Sequence, residues 1–127
     1  MADSLEKKFE TIGSGAYCGH FLQGDYVVKD GQQWSNLWDK VNSINIPPPA
    51  LPLIDFNNDM VIAVFLGTKR SGGYGIKISE LRETDNCLEV SVVETGPAPG
   101  GRVTMALTQP YHLIKTSLTD KEVKFIR

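Results

Sequence analysis

Trp34, Leu37, Trp38 and Val41 fall at i, i+3, i+4 and i+7, the spacing that gathers apolar side chains on one face of a helix. Asp30 stands just ahead with Gln33 three residues on, a variant of the capping box in which side chains satisfy first-turn amides. Pro47-Pro48-Pro49 must end this helix, because proline lacks the amide donor and clashes with the preceding turn. Ile46 to Leu53 therefore reads as an extended, polyproline-like crossover. Pro49-Ala50-Leu51-Pro52 has the spacing of a polyproline ligand, but it bridges two ordered elements and reads as a linker.

Elsewhere the pattern has the period of strands. Met60 to Leu66 is an unbroken apolar run, which predicts a central strand covered on both faces. Tyr74, Ile76 and Ile78 alternate with Gly75, Lys77 and Ser79 after the glycine-rich turn Gly67 to Gly73. Leu88, Val90 and Val92 repeat that alternation, and Val103, Met105 and Leu107 repeat it again. Tyr111 to Leu118 and Glu122 to Ile126 read as a closing hairpin around Thr119-Asp120. Phe9 to Ile12, Tyr17 to Leu22 and Tyr26 to Val28 read as an N-terminal meander over about residues 8–28.

Short strands, hairpin-length turns and one helix predict an α+β fold, an antiparallel β-sheet with one main helix packed on one face. At 127 residues the expectation is a single domain, 1–127, able to fold without metals or multiple disulfides. The apolar share of 41% and charged share of 22% point away from disordered and fibrous classes.

Thirteen Lys and Arg against 15 Asp and Glu, with no basic run longer than Lys69-Arg70, lack the electrostatic footprint of a nucleic-acid binder. No stretch of 18 apolar residues offers a transmembrane helix. The start, Met1 to Lys8, has no apolar signal-peptide core, so the chain reads as cytosolic or as a mature or trimmed form.

Candidate chemistry is sparse, and no catalytic constellation emerges. Cys18-Gly19-His20 invites a thiol–imidazole nucleophile, and in a strand the two would share a face; the competing reading is a small buried thiol beside a surface histidine. Cys18 and Cys87 make neither a C-x-x-C redox pair nor a zinc set, and His20 and His112 with scattered carboxylates form no recognisable metal site. The Gly67 to Gly73 segment matches no phosphate loop, since a strand follows it where a helix is needed. Its plainer reading is a hairpin whose glycines supply positive φ. A protruding loop with Lys69, Arg70 and Tyr74 is nonetheless suited to gripping another protein, as Arg and Tyr are enriched at interface hot spots.

The order of the motifs resembles the PrcB family of small bacterial domains, named for a subunit of a spirochaete protease complex. The matching features are Trp34 with Leu37-Trp38, Ile54-Asp55-Phe56 entering Met60 to Leu66, Gly67 with Arg70-Ser71-Gly72-Gly73-Tyr74, Ile76 and Ile78. Pro97 to Gly101, Val103 to Thr108 and Pro110-Tyr111 continue the series, so the resemblance covers about residues 26–126. It implies a non-catalytic accessory subunit that binds and stabilises a partner protease, with no cofactor and no catalytic residues to carry over. Members resemble exported or lipid-anchored proteins, whereas this sequence lacks a signal peptide and a lipid-attachment cysteine near its start. The shared positions with plausible sticky chemistry are Lys69, Arg70, Tyr74 and Tyr111, with Gly72 and Gly73 shaping the turn. Two other classes stand beside this one: a small-molecule-binding domain using the cleft between helix and sheet, and an enzyme dependent on Cys18 and His20.

Overall fold

The computed structural model describes residues 4–127; Met1, Ala2 and Asp3, with which the expected domain starts, lie outside the described residues. The elements are β1 (Leu5–Lys7), β2 (Phe9–Gly15), β3 (Gly24–Val28), α1 (Gly31–Val41), β4 (Asp59–Phe65), β5 (Gly75–Glu83), β6 (Cys87–Thr95), β7 (Tyr111–Ser117) and β8 (Glu122–Ile126). They form two four-stranded sheets, ordered β1-β5-β6-β8 and β2-β7-β4-β3. The chain passes from the first sheet to the second at Lys8, whose carbonyl accepts the Thr116 hydroxyl at 2.8 Å.

β4 organises the molecule because both of its faces are apolar. Met60, Ile62 and Val64 meet Ile78, Leu81, Leu88, Val90 and Val92 of the other sheet in one core. Val61, Ala63 and Phe65 point the opposite way, onto Trp34 and Val41 of α1. The result is three layers: sheet, sheet, helix. A register shift between Ile78 and Glu80 reverses the phase of β5, so that Ile76, Ile78 and then Leu81 all face inward.

Local chemistry fixes the helix as its spacing predicts. Asp30 accepts the Gln33 amide at 2.8 Å as N-cap, and the Gln33 side chain reaches back to the Lys29 amide at 3.4 Å. The indole N–H groups of Trp34 and Trp38 donate to the carbonyls of Pro52 (3.0 Å) and Pro49 (3.1 Å), tying the proline crossover along the helix. Asp55 accepts the amide of Asn57 at 3.1 Å and forms the turn that leads into β4.

Four sequence expectations are corrected. There are two sheets, with the helix covering the outer face of the second, because β4 has two apolar faces to bury and one helix covers only one of them. The 8–28 segment is no meander: β2 and β3 are opposite ends of the second sheet, and Tyr17 to Leu22 is irregular. β7 and β8 form no hairpin; they lie in different sheets, and β8 runs parallel to β6, the one parallel pair in otherwise antiparallel sheets of the described residues. Val103 to Leu107 forms no strand, only a bridge between Thr108 and Lys69, since the segment straps a loop and leaves Met105 86% exposed.

Candidate protein-interaction surface

The β4–β5 connection is a crossing between sheets and not the hairpin that its glycines suggest. Two neighbouring segments hold it. Gly67 adopts φ +85° against Gln23, and Thr68 donates its amide to the Phe21 carbonyl at 3.0 Å. Lys69 exchanges both backbone bonds with Thr108 (2.8 and 2.9 Å), the Thr108 hydroxyl donates to the Ser71 carbonyl at 2.8 Å, and the Gly72 amide donates to Thr104 at 2.8 Å. Gly73, at φ +89°, packs so tightly that a Cβ would lie 2.9 Å from Pro97 and 3.0 Å from Val103. Glycine is required there for conformation and for space. Gly72 has no positive φ, and a Cβ on it would meet Thr104 at an ordinary 3.5 Å.

On this frame Lys69 places its ammonium 5.5 Å from the centre of the Tyr74 ring, within cation–π range, and Arg70 is exposed. The two straps carry uncovered apolar side chains: Met105 and Leu107 on one, Phe21 and Leu22 on the other. Exposed Tyr17 follows Ala16, whose carbonyl accepts the Gln109 amide at 2.7 Å. Exposed apolar side chains on segments bonded to a loop that carries two cations are the composition of an interaction surface.

Tyr111 is placed differently from the loop residues. Its ring lies over Gly13 and Gly15, and burial, then the nearby Cys18 thiol, raise its phenol above the ordinary tyrosine range. It shares with Tyr74 a cleft of about 400 Å³ bounded by Ser14, Gly15, Gly75 and Lys77. The structure thus groups Lys69, Arg70 and Tyr74 on the loop, with Gly73 shaping it and Gly72 under no such constraint, and joins Tyr111 to Tyr74 alone. Sequence reasoning missed Tyr17, Phe21, Leu22, Met105 and Leu107, because the same alternation that marks an inward strand face occurs in these irregular segments.

Cys18 and His20 do not form a nucleophile pair in the geometry observed. They lie in irregular backbone, and the thiol donates to the His20 carbonyl at 3.6 Å, not to the ring. Burial raises the thiol pKa, away from the thiolate that nucleophilic attack requires. His20 is buried, not the surface histidine anticipated: its Nδ1–H donates to the Leu22 carbonyl at 2.8 Å, its Nε2 accepts the Tyr26 hydroxyl at 3.0 Å, and it stacks on Phe65. Desolvation lowers its pKa. Cys87 is a second free, buried thiol, beside Thr84. No cluster of three His, Cys, Asp or Glu suited to a metal ion occurs among the described residues. No described helix is long and apolar enough to cross a membrane.

The family model for the PrcB C-terminal domain matches residues 60–117, from β4 through the glycine-rich crossing and β5–β6 to the end of β7. No curated protein and no solved structure matches the chain. The resemblance to the PrcB family read from the order of motifs is thereby borne out, over residues 60–117.

Proposed function

We propose that this chain is a non-catalytic protein-interaction module of the protease-complex accessory kind, acting as one domain that binds and stabilises a partner protease through the β4–β5 crossing and its straps. The observation that carries this reading is the Thr68–Tyr74 loop, bonded through Thr68 to the Phe21 segment and through Lys69, Ser71 and Gly72 to the 104–108 segment, both of which carry uncovered apolar side chains. A loop whose backbone is already held in the free protein loses less conformational entropy on binding than an unheld one would. The PrcB C-terminal match supports the accessory role.

Affinity capture from lysate and envelope fractions of the native organism, read by mass spectrometry, tests it. Wild type is run beside a variant carrying Lys69→Ala, Arg70→Ala and Tyr74→Ala, and beside a second with Met105→Ser and Leu107→Ser, whose side chains are 86% and 61% exposed. A protease enriched by wild type and lost from both folded variants supports the reading. Equal capture by both folded variants removes the surface assignment, and enrichment of no protease removes the accessory role.

A further inference from the structure

β3 ends the second sheet: β4 pairs with one side of it, and no strand among the described residues pairs with the other. Its five residues pair with β4 without a register shift, whereas the edge strand β2 carries a shift and the edge strand β1 has only three residues; the edge strand β8 is equally regular, and of these two β3 is the one that lines a groove beside α1. The outer backbone groups of β3 are therefore regularly spaced. A regular, unpaired edge is a template for another strand. Beside this edge runs a groove of about 470 Å³, walled on the far side by α1. Val27, Val28 and Leu37 give it an apolar lining, exposed Leu22 borders it between this groove and the loop surface, and Gln33, Asn36 and Lys40 give it a polar rim.

We propose that this groove takes an extended peptide, bound as an added strand on β3, with apolar side chains at alternate positions and an acidic side chain against Lys40. Gln33, Leu37 and Lys40 follow one another along α1 at the margin of the face that meets β4, with Leu37 belonging both to that face and to the groove lining. From Gln33 to Lys40 the helix rises roughly 10 Å at about 1.5 Å per residue. That length matches about three strand residues at about 3.3 Å each, so two side chains of one parity enter the groove together. Gln33 and Asn36 supply carboxamides that bond peptide groups of either polarity.

Charge selects the ligand further. Lys40 is the one residue of fixed charge lining the groove, and no carboxylate lines it. Asp25, the acidic residue of β3, is held by Arg127 through bonds of 2.8 and 2.9 Å. His20 and Tyr26 also line it, and they are bonded to each other at 3.0 Å. A small amphipathic acid would meet the apolar lining and Lys40, yet would leave the regular strand edge to water. An extended peptide uses all three features, as strand-addition sites do.

Selection of linear nonapeptides from a random displayed library against the full chain tests this, followed by amide hydrogen exchange on the complex. The expected peptides alternate apolar residues and carry an acidic one, and they slow exchange of the outward-facing amides within Gly24–Val28. Lys40→Glu should weaken them roughly tenfold or more, and N-methylation of the peptide backbone at alternate residues should abolish binding in one parity and spare it in the other. Variants at Lys69, Arg70 and Tyr74 should bind these peptides as wild type does, which separates this site from the loop surface. Failure to select any peptide sensitive to Lys40→Glu overturns the proposal, as does binding that leaves β3 exchange unchanged. Saturation by decanoate that displaces the selected peptides without protecting β3 also overturns it and assigns the groove to small acids.

Discussion

His112, on β7 of the second sheet, accepts the backbone N–H of Ile78, on β5 of the first, across 2.9 Å. The accepting atom is Nδ1, so the ring proton sits on Nε2, which donates to the Thr11 hydroxyl at 2.8 Å. The Ile78 amide lies at the register shift of β5, and the imidazole thus joins the two sheets. Protonation would turn the accepting nitrogen into a donor facing a donor.

Stability should therefore fall with acidification. Burial, then Lys77, lowers the pKa of His112, and burial, opposed by its bond to the Leu22 carbonyl, lowers that of His20. A depressed histidine value means that the unfolded chain takes up protons first. The neutral rings' contribution is thus complete above about pH 6.5 and is lost as pH falls through their lower folded-state values. Urea denaturation at several pH values between 8 and 4 checks this, and His112→Phe should flatten part of the slope while costing about 1–3 kcal/mol for the unpaired Ile78 amide. An unchanged slope in that variant would exclude His112 as a source.

The two tryptophans should differ in cost although each donates to a proline carbonyl. Trp34 is fully buried and Trp38 half-buried. Trp34→Phe should cost about 2–4 kcal/mol through lost volume and a lost bond, and Trp38→Phe about 0.5–1.5 kcal/mol, mainly the bond. Chemical denaturation ranks them, and an inverted order contradicts the packing described.

Adjacent glycines in the β4–β5 crossing should respond unequally. Gly73→Ala forces a side chain into φ +89° and against Pro97 and Val103, at about 1–3 kcal/mol. Gly72→Ala should change stability by less than about 1 kcal/mol. Thermal melts of the two variants decide the matter; equal losses would mean that the loop is not held as described.

Cys18 should react slowly with alkylating reagents in the folded protein, because its side chain is buried and its pKa is raised. Near neutral pH the native rate should lie on the order of a hundredfold or more below that of an unhindered thiol, and denaturant should restore it. A Cys18 modified as fast as a model thiol would reopen the nucleophile reading.

Where a physical signal is local, the sequence determined the outcome by itself. The i, i+3, i+4, i+7 stripe and Asp30 placed α1, which ends at Val41 ahead of the proline run as expected, and the unbroken apolar run made β4 a strand covered on both faces. Those features depend on side chains within a few residues of one another. The order of motifs likewise carried the family resemblance.

Tertiary structure alone decided which elements share a sheet, because alternation reports that a strand has an inside and not which strand lies beside it. It split the expected single sheet in two, set β8 parallel to β6, and turned Val103–Leu107 from a strand into a strap. It also bonded the segments that carry exposed Phe21 and exposed Met105, more than 80 residues apart in the chain, to the one β4–β5 crossing. Residues so far apart are brought together by backbone bonds and shared burial, and neither leaves a periodic trace along the chain.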